Sequence, residues 1–267
     1  MGELGRTFQH LQNEASRAVI QNYSVQQRGR EMFRSNDARM IVGLCKRCRE
    51  EGEMGIVVGK TGYGKSFALR ECARVPGTVY IECDCTMSRK NLLEAIETAL
   101  GVPSVGYGDL WHRVNVIRDV LNTSSTQRRL LIIDEADKLI TRNSQTKMEV
   151  LRAIYDQSNV GIVLAGELRL TSEISRYLGQ LENRIQYRYQ LSGLTAKEVE
   201  EYVAGNGFVV EPDALETLKD RACGKRRGCF RLLDKTLVNA LRILQDRADS
   251  APISVKVLED ASGMMAL

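Results

Sequence analysis

Short apolar runs alternate with amphipathic segments through the middle of this chain. The runs lie at 56–58, 79–83, 130–133, 160–164 and 185–189, and apolar residues at helical spacing fill most of the intervals between them. Continuous apolar strands separated by helices are typical of a parallel sheet that is covered on both faces. The pattern therefore predicts an α/β fold in which a parallel sheet is flanked by helices.

The pattern changes after residue 192, where the apolar runs stop and only helical spacing continues. Thr195 and Glu198 have the spacing of a capping box, and a long Leu-rich helical stripe follows at 229–246. We therefore expect a small all-helical domain that follows the sheet domain in the sequence. The predicted parts are an N-terminal helical extension at 1–34, the α/β core at 35–192 and the helical domain at 193–267.

The strongest chemical signal lies where the first predicted strand meets a helix. Residues 59–66 read GKTGYGKS and fit the P-loop pattern G-x-x-x-x-G-K-[ST]. Glycines let backbone N–H groups surround phosphates, and the helix N-terminus adds partial positive charge. We expect Lys65 to reach the β- and γ-phosphates of ATP and Ser66 to ligate Mg²⁺. The predicted nucleotide-binding residues of this segment are Gly59, Lys60, Thr61, Gly62, Tyr63, Gly64, Lys65, Ser66 and Phe67.

An acidic pair follows the third predicted strand. Asp134 comes at the carboxyl end of that strand, where ligands bind in such sheets, and is expected to hold Mg²⁺ directly or through water. Glu135 is placed to orient and polarise the attacking water. With Lys65, the pair predicts an ATPase that releases ADP and phosphate; a capped loop after a strand is the structural alternative. Residues 134–137 also spell a helicase box, but the chain is too short for two motor lobes.

Composition and charge narrow the range of functions. The chain has 267 residues, of which 43% are apolar and 27% charged, as in ordinary globular proteins. No apolar run approaches the roughly 18–20 residues that a membrane span needs, and the N-terminus has no apolar signal core. We therefore expect a cytoplasmic protein with no membrane partner. The net charge of +4 permits nucleic-acid binding without requiring it.

Several reactive or aromatic residues are assigned to the core. Cys45 and Cys48 form a CxxC, but a structural zinc site needs four ligands and the two histidines of the chain lie far apart. Buried thiols, with Cys83 on a buried strand, are therefore the favoured interpretation. Tyr107 and Trp111 are expected in the core and not on a surface that stacks on bases.

The P-loop, the acidic pair and the helical C-terminal domain together resemble the AAA+ ATPases. Within them, the chain is similar to the transposition ATPases typified by the B protein of phage Mu and the TnsC-type regulators, with the ExeA-type secretion ATPases as cousins. The resemblance covers about residues 35–262. It is carried by the runs 133–137, 161–166, 181–185 and 230–233, in that order along the chain.

This resemblance implies roles for three further residues. Arg184 matches the arginine finger that reaches the γ-phosphate of a neighbouring subunit, and Arg231 matches the sensor 2 arginine of the helical lid. Glu167 occupies the sensor 1 position, which more often holds Asn, Thr or Ser, so hydrolysis is expected to be slow and stimulated by DNA or a partner. The alternatives are a surface salt bridge for Arg184, helix-surface charge for Arg231 and a solvated acid at Glu167.

The resemblance also implies DNA contacts in the loop after the second strand. Hydroxyls, cations and a helix N-terminus in that loop suit phosphate contacts without base readout. A capped helix with solvated charges is the alternative. The predicted DNA-binding residues are Thr86, Ser88, Arg89 and Lys90. Second-rank candidates are Lys138, Arg142 and Lys147.

The function that the resemblance implies is regulation of DNA transposition. The protein would bind ATP between subunits, assemble as a ring or helical filament on double-stranded DNA with little sequence preference, and recruit or stimulate a transposase in a bacterial or phage-infected cell. Two alternatives stay open: a secretion-associated or helicase-loading ATPase, and a signalling switch that acts on a protein partner. We expect no complete helix-turn-helix like that of the Mu protein in residues 1–34, which are expected either to pack on a neighbouring subunit or to contact DNA.

Overall fold

The computed structural model describes six stretches of the chain, which form two compact units. An α/β unit comprises residues 36–192, and a helical unit combines residues 32–35 with the chain from Gly193 onward. Residues 1–31 of the predicted N-terminal helical extension and Tyr107 lie outside the described residues. The described stretches are 32–102, 109–123, 127–140, 145–223, 229–247 and 251–265.

A sheet of five parallel strands forms the centre of the α/β unit, in the order β2-β3-β4-β1-β5. This confirms the predicted parallel sheet and all five predicted strand positions. The strands are β1 (Met54–Val58), β2 (Thr78–Glu82), β3 (Arg129–Asp134), β4 (Val160–Gly166) and β5 (Ile185–Gln190).

Helices occupy the intervals between these strands. The pattern did not predict two short ones, a 3₁₀ turn at Ala136–Leu139 and a four-residue helix before β5, because four residues are too few to show a period. The helices of the unit are α1 (Asn36–Glu51), α2 (Lys65–Cys72), α3 (Arg89–Leu100), α4 (Leu110–Asn122), α5 (Thr146–Asp156), α6 (Arg169–Tyr177) and α7 (Gly179–Glu182).

Burial of the strands follows their place in the sheet. Every residue of β1 and β4 is buried, as are five of the six residues of β3. In β5, an outer strand of the sheet, buried or partly buried residues alternate with exposed ones. Because helices cover both faces of the central strands, these strands carry mainly apolar side chains. Polar side chains occur at the ends of the strands.

The strand register brings three chain segments to one edge of the sheet, the edge at which the parallel strands end. Val58, the last residue of β1, pairs with Gly166, the last of β4. On the other side of β4, Ile133 pairs with Leu164, so β3 ends next to the same strand. The segments that follow β1, β3 and β4 therefore leave the sheet side by side.

The helical unit has its own apolar core. A capping box at Thr195 opens its first helix, as predicted, and Phe33 packs its ring against Tyr202 at 5.3 Å and Phe230 at 6.0 Å between centroids. In the described part of the chain, no helix is both long and apolar enough to cross a membrane. The helices are α8 (Ala196–Gly205), α9 (Pro212–Cys223), α10 (Phe230–Asp246) and α11 (Val255–Gly263).

The predicted core is right for the cysteines and wrong for Trp111. Cys45, Cys48 and Cys83 are buried, whereas Trp111 is 72% exposed. At about 100° per residue, Trp111 lies about 90° from the centre of the apolar stripe of α4. The position flanking the stripe on its other side is occupied by Arg113, which is buried.

A buried ion pair explains why Arg113 is accepted in that position. Its guanidinium donates two hydrogen bonds to the carboxylate of Glu97, at 3.0 and 2.7 Å, and both side chains are almost completely buried. Such a bidentate pair is tolerated in a core because each charge satisfies the other. The pair joins α3 to α4.

Candidate nucleotide site

The Lys65 side chain folds back over its own loop. Its ammonium donates hydrogen bonds to the carbonyl of Gly59 at 2.6 Å and to that of Lys60 at 3.2 Å, and the residue is only 6% exposed. Burial lowers the pKa of Lys65, and four carboxylates oppose that shift. An ammonium placed in this way can exchange carbonyl oxygens for phosphate oxygens. The carboxylates, in order of effect, belong to Asp134, Glu135, Glu167 and Asp137.

Gly64 makes the turn from the loop into α2. Its φ of +93° lies in the left-handed region, which glycine adopts without a steric penalty. Because α2 begins at the next residue, the N–H groups and the positive end of this helix are available at the loop. The N–H of Gly59 donates to the carbonyl of Gly166 at 3.3 Å, which ties the loop to β4. This arrangement fits a polyphosphate.

Asp134 lies completely buried at the end of β3. One of its oxygens accepts a hydrogen bond from the Tyr80 hydroxyl at 2.8 Å, and the other accepts one from the N–H of Glu135 at 2.8 Å. Burial, followed by the charge of Asp134, raises the pKa of Tyr80, so the phenol stays a donor. Carboxylate and hydroxyl oxygens are the ligands that Mg²⁺ prefers, so Asp134 and Ser66 suit the magnesium of a bound nucleotide.

Glu135 has an unusual backbone conformation. Its φ of 56° makes it the one non-glycine residue with positive φ in the stretches that the structure describes. For such a residue this conformation costs about 1 kcal/mol, and strain of this kind tends to occur at active sites. The hydrogen bond from its N–H to Asp134 stabilises the turn, and its carboxylate pairs with Lys138 at 3.3 Å. Glu135 is therefore held next to the candidate magnesium ligand.

Glu167 lies beside the P-loop at the end of β4. Its carboxylate accepts a hydrogen bond from the Thr61 hydroxyl at 3.2 Å and lies 3.9 Å from the Nε of Arg169. An acid close to phosphates is unfavourable unless a cation offsets its charge, and Arg169 provides that cation. The structure thus links Glu167 to the P-loop.

Arg184 lies at the opposite edge of the sheet from the P-loop, where the strands begin. It precedes Ile185, which pairs with Met54 at the start of β1, whereas the P-loop follows the end of that strand. At about 3.3 Å per residue, the length of β1 puts more than about 13 Å between the two edges. The guanidinium donates two hydrogen bonds to Asp156, at 3.0 and 3.2 Å. Arg184 is therefore separated from its own P-loop.

Arg231 belongs to the helical unit. It lies in the first turn of α10, and its side chain is exposed. The side chain of Cys229 caps this helix by accepting a hydrogen bond from the N–H of Leu232 at 3.3 Å.

The loop between β2 and α3 is held together by its own side chains. Asp84 accepts hydrogen bonds from the N–H and the hydroxyl of Thr86, at 2.7 and 2.6 Å, and Ser88 forms a capping box with Asn91. The hydroxyls predicted to contact DNA therefore have structural partners. Arg89 and Lys90 are exposed.

The second-rank DNA candidates have varied surroundings. Lys147 donates to the carbonyl of Met87 at 3.0 Å and so supports the β2–α3 loop from α5. Lys138 pairs with Glu135, and Arg142 lies outside the described residues.

The structure thus brings together the P-loop, Asp134, Glu135 and Glu167, but not Arg184. Sequence reasoning missed three residues of the site: Tyr80, Asp137 and Arg169. Tyr80 lies in the middle of an apolar strand, and no motif marks it. Asp137 ends both the helicase-like spelling and the run 133–137 of the family resemblance, but neither pattern predicts a role for it.

A family comparison agrees with this geometry. Residues 48–173 match the model of the AAA domain family. The match covers just under half of the chain and includes the P-loop, the acidic pair and Glu167, but not Arg184 or Arg231. In sequence, no curated protein is significantly similar to this chain.

Solved structures of other proteins share the fold. Aeropyrum pernix ORC2, solved in ADPNP–ADP complexes, superposes with a TM-score of 0.66 at 14% identity, covering 85% of this chain and 66% of that one. Cdc6p from Pyrobaculum aerophilum gives 0.66 at 13% identity, covering 85% and 65%. Aeropyrum pernix ORC1, solved in complex with DNA, gives 0.61 at 17% identity, covering 85% and 64%.

The chain spans just under two thirds of the length of these three proteins, and identities this low establish the fold alone. The family match nevertheless covers the P-loop, the acidic pair and Glu167, and the fold brings these same residues together. This chain has the fold of an AAA-type P-loop domain, and residues 48–173 match the model of that family.

Proposed function

We propose that this protein is an ATP-dependent DNA-binding ATPase that assembles on duplex DNA and regulates transposition. The observation that carries the ATPase part is the meeting of Lys65, Asp134 and Glu135 at one edge of the sheet. The transposition part is supported by the resemblance in sequence to the transposition ATPases. Its DNA part is supported by the exposed Arg89–Lys90 pair and by a fold shared with a protein that was solved on DNA.

In the proposed reaction, each residue has a separate task. Lys65 and the N–H groups at the start of α2 bind the phosphates and offset their charge. Ser66 and Asp134 would hold Mg²⁺, which would neutralise part of the phosphate charge. Glu135 orients a water and polarises it for attack on the γ-phosphorus, with ADP as the leaving group.

The position of Arg184 supports the proposed oligomer. A guanidinium at the opposite edge of the sheet cannot stabilise the γ-phosphate of its own subunit, but it can reach that of a neighbour. To do so it must leave Asp156, which holds it through two hydrogen bonds. We therefore propose that assembly and hydrolysis are coupled through an exchange of partners at Arg184.

The replacement Arg184→Ala is expected to lower ATP turnover of the assembled protein on the order of a thousandfold, because the cation on the transition state is lost. Adding the Lys65→Ala variant should restore turnover, since its subunits donate an intact Arg184 to intact P-loops. Phosphate release from mixtures at several ratios measures this complementation.

Arg152→Ala is the matched control, because Arg152 also pairs with Asp156, at 3.2 Å. This variant should keep normal turnover. Mixtures that stay inactive would contradict a role of Arg184 in the neighbouring site.

The exposed pair Arg89–Lys90 is the proposed DNA-contacting surface. Replacing both residues with alanine should weaken binding to duplex DNA uniformly across sequences. It should also reduce the slope of log affinity against log salt by about 2, one unit for each phosphate contact. Fluorescence anisotropy of a labelled duplex at several salt concentrations measures both quantities.

The control for this prediction replaces Lys46 and Arg47, a basic pair that is likewise exposed, on α1. Its salt slope should equal that of the wild type. An unchanged slope in the Arg89–Lys90 variant would show that other residues form the DNA-contacting surface.

Electron microscopy of the protein with duplex DNA tests the whole proposal. Rings or filaments on DNA with a non-hydrolysable ATP analogue, and their absence without nucleotide, are the expected result. If a transposase gene lies beside this one, stimulation of its product would distinguish regulation of transposition from helicase loading or secretion. A protein that binds ATP but never DNA would be a signalling switch instead.

A further inference from the structure

Asp137 is a buried acid that the proposed reaction does not use. It is 2% exposed, in the 3₁₀ turn that follows the acidic pair. Its Oδ1 accepts a hydrogen bond from the N–H of Glu167 at 3.1 Å. Its Oδ2 accepts two from Arg169, from Nε at 3.0 Å and Nη2 at 2.6 Å.

The sheet leaves room for this carboxylate only because Gly166 has no side chain. A Cβ on that residue would lie 2.4 Å from the Oδ1 of Asp137, well inside van der Waals contact. Asp137 therefore sits directly against the end of β4, the strand between the P-loop strand and the strand of the acidic pair. Burial lowers the pKa of Lys65, and the charge of Asp137 is one of four that oppose this lowering, so its field reaches the ammonium.

Arg169 is the cation that balances this charge. Its side chain is 55% exposed at the first residue of α6, and its two hydrogen bonds to Asp137 raise its pKa. The same guanidinium lies 3.9 Å from Glu167, whose carboxylate binds Thr61 of the P-loop. One arginine thus lies between two acids that would otherwise repel a triphosphate.

We propose that Arg169 is a positioning residue of the nucleotide site, which neutralises Asp137 and so keeps its negative charge from opposing ATP. Asp137 in turn fixes the N–H of Glu167, and Glu167 contacts the P-loop through Thr61. The electrostatic effect is largest for the ligand with the most charge, because repulsion grows with the charge of the phosphate chain. The inference rests on nucleotide binding, the first part of the proposed function.

Three variants test the proposal: Arg169→Ala, Asp137→Asn and the two combined. Arg169→Ala should weaken ATP binding about tenfold and ADP binding less, since ATP carries the additional phosphate charge. The combined variant should recover ATP affinity to within about threefold of the wild type. The introduced amide keeps an oxygen to accept the Glu167 N–H but has no charge that needs a cation.

Isothermal titration calorimetry with Mg²⁺–ATP and Mg²⁺–ADP measures these affinities, and circular dichroism at the same temperature checks that each variant is folded. Arg176→Ala, on the same helix, is the matched control and should bind ATP normally. If the combined variant binds ATP as weakly as Arg169→Ala, or if both nucleotides weaken equally, the proposal is overturned. A wild-type protein that binds no nucleotide would instead overturn the proposed function.

Discussion

Replacing Lys65 with alanine is expected to abolish measurable ATP binding. The ammonium is nearly buried and already directed into the loop, with its two hydrogen bonds made to loop carbonyls. Two charge-assisted hydrogen bonds to phosphate contribute about 3–6 kcal/mol together, which corresponds to a loss of affinity of about a hundredfold or more. Titration calorimetry with Mg²⁺–ATP measures this loss.

The neighbouring lysine of the loop provides the control. Lys60 is exposed, so Lys60→Ala should weaken ATP binding only slightly. Tight ATP binding by the Lys65 variant would contradict the assignment of the P-loop, and with it every later step of the mechanism.

Replacing Glu135 with glutamine is expected to separate binding from hydrolysis. The amide keeps the size of the side chain but cannot accept a proton from water, so turnover should fall by about a hundredfold or more while ATP still binds. Because ATP persists in the site, assemblies on DNA should last longer than those of the wild type. Phosphate release and the lifetime of DNA complexes after dilution measure the two effects.

Glu82→Gln is the matched control, since Glu82 ends β2 and pairs in register with Asp134. It lies at the same edge of the sheet, where it binds Arg70 at 2.7 Å, so its replacement should leave turnover unchanged. Normal hydrolysis in the Glu135 variant would remove Glu135 from the catalytic role.

Much of the fold could be predicted because central parallel strands are buried on both faces. Residues buried on both faces must be apolar, so each of these strands appears in the sequence as an apolar run. The ends of the runs at β1, β3 and β4 show where the polar edge of the sheet lies. The P-loop could be predicted from its own pattern of glycines and lysine after such a run, and the acidic pair from its place immediately after another. These parts of the site depend on local sequence alone.

The rest of the site depends on contacts between distant segments. Tyr80 reaches Asp134 across 54 positions of the chain, and Arg169 reaches Asp137 across 32. Arg113 looks like surface charge in the sequence, but Glu97 pairs with it in the core. A single sequence does not show which charge meets which, so pairs of this kind appear only when the chain is folded.

The exposed position of Trp111 has a practical consequence. It is the only tryptophan in the chain, and its indole already faces water in the folded protein. Its fluorescence therefore changes little when the core is lost, so thermal unfolding is better followed by the circular dichroism of the helices. The same indole emission is instead a label-free signal for any molecule that covers the beginning of α4.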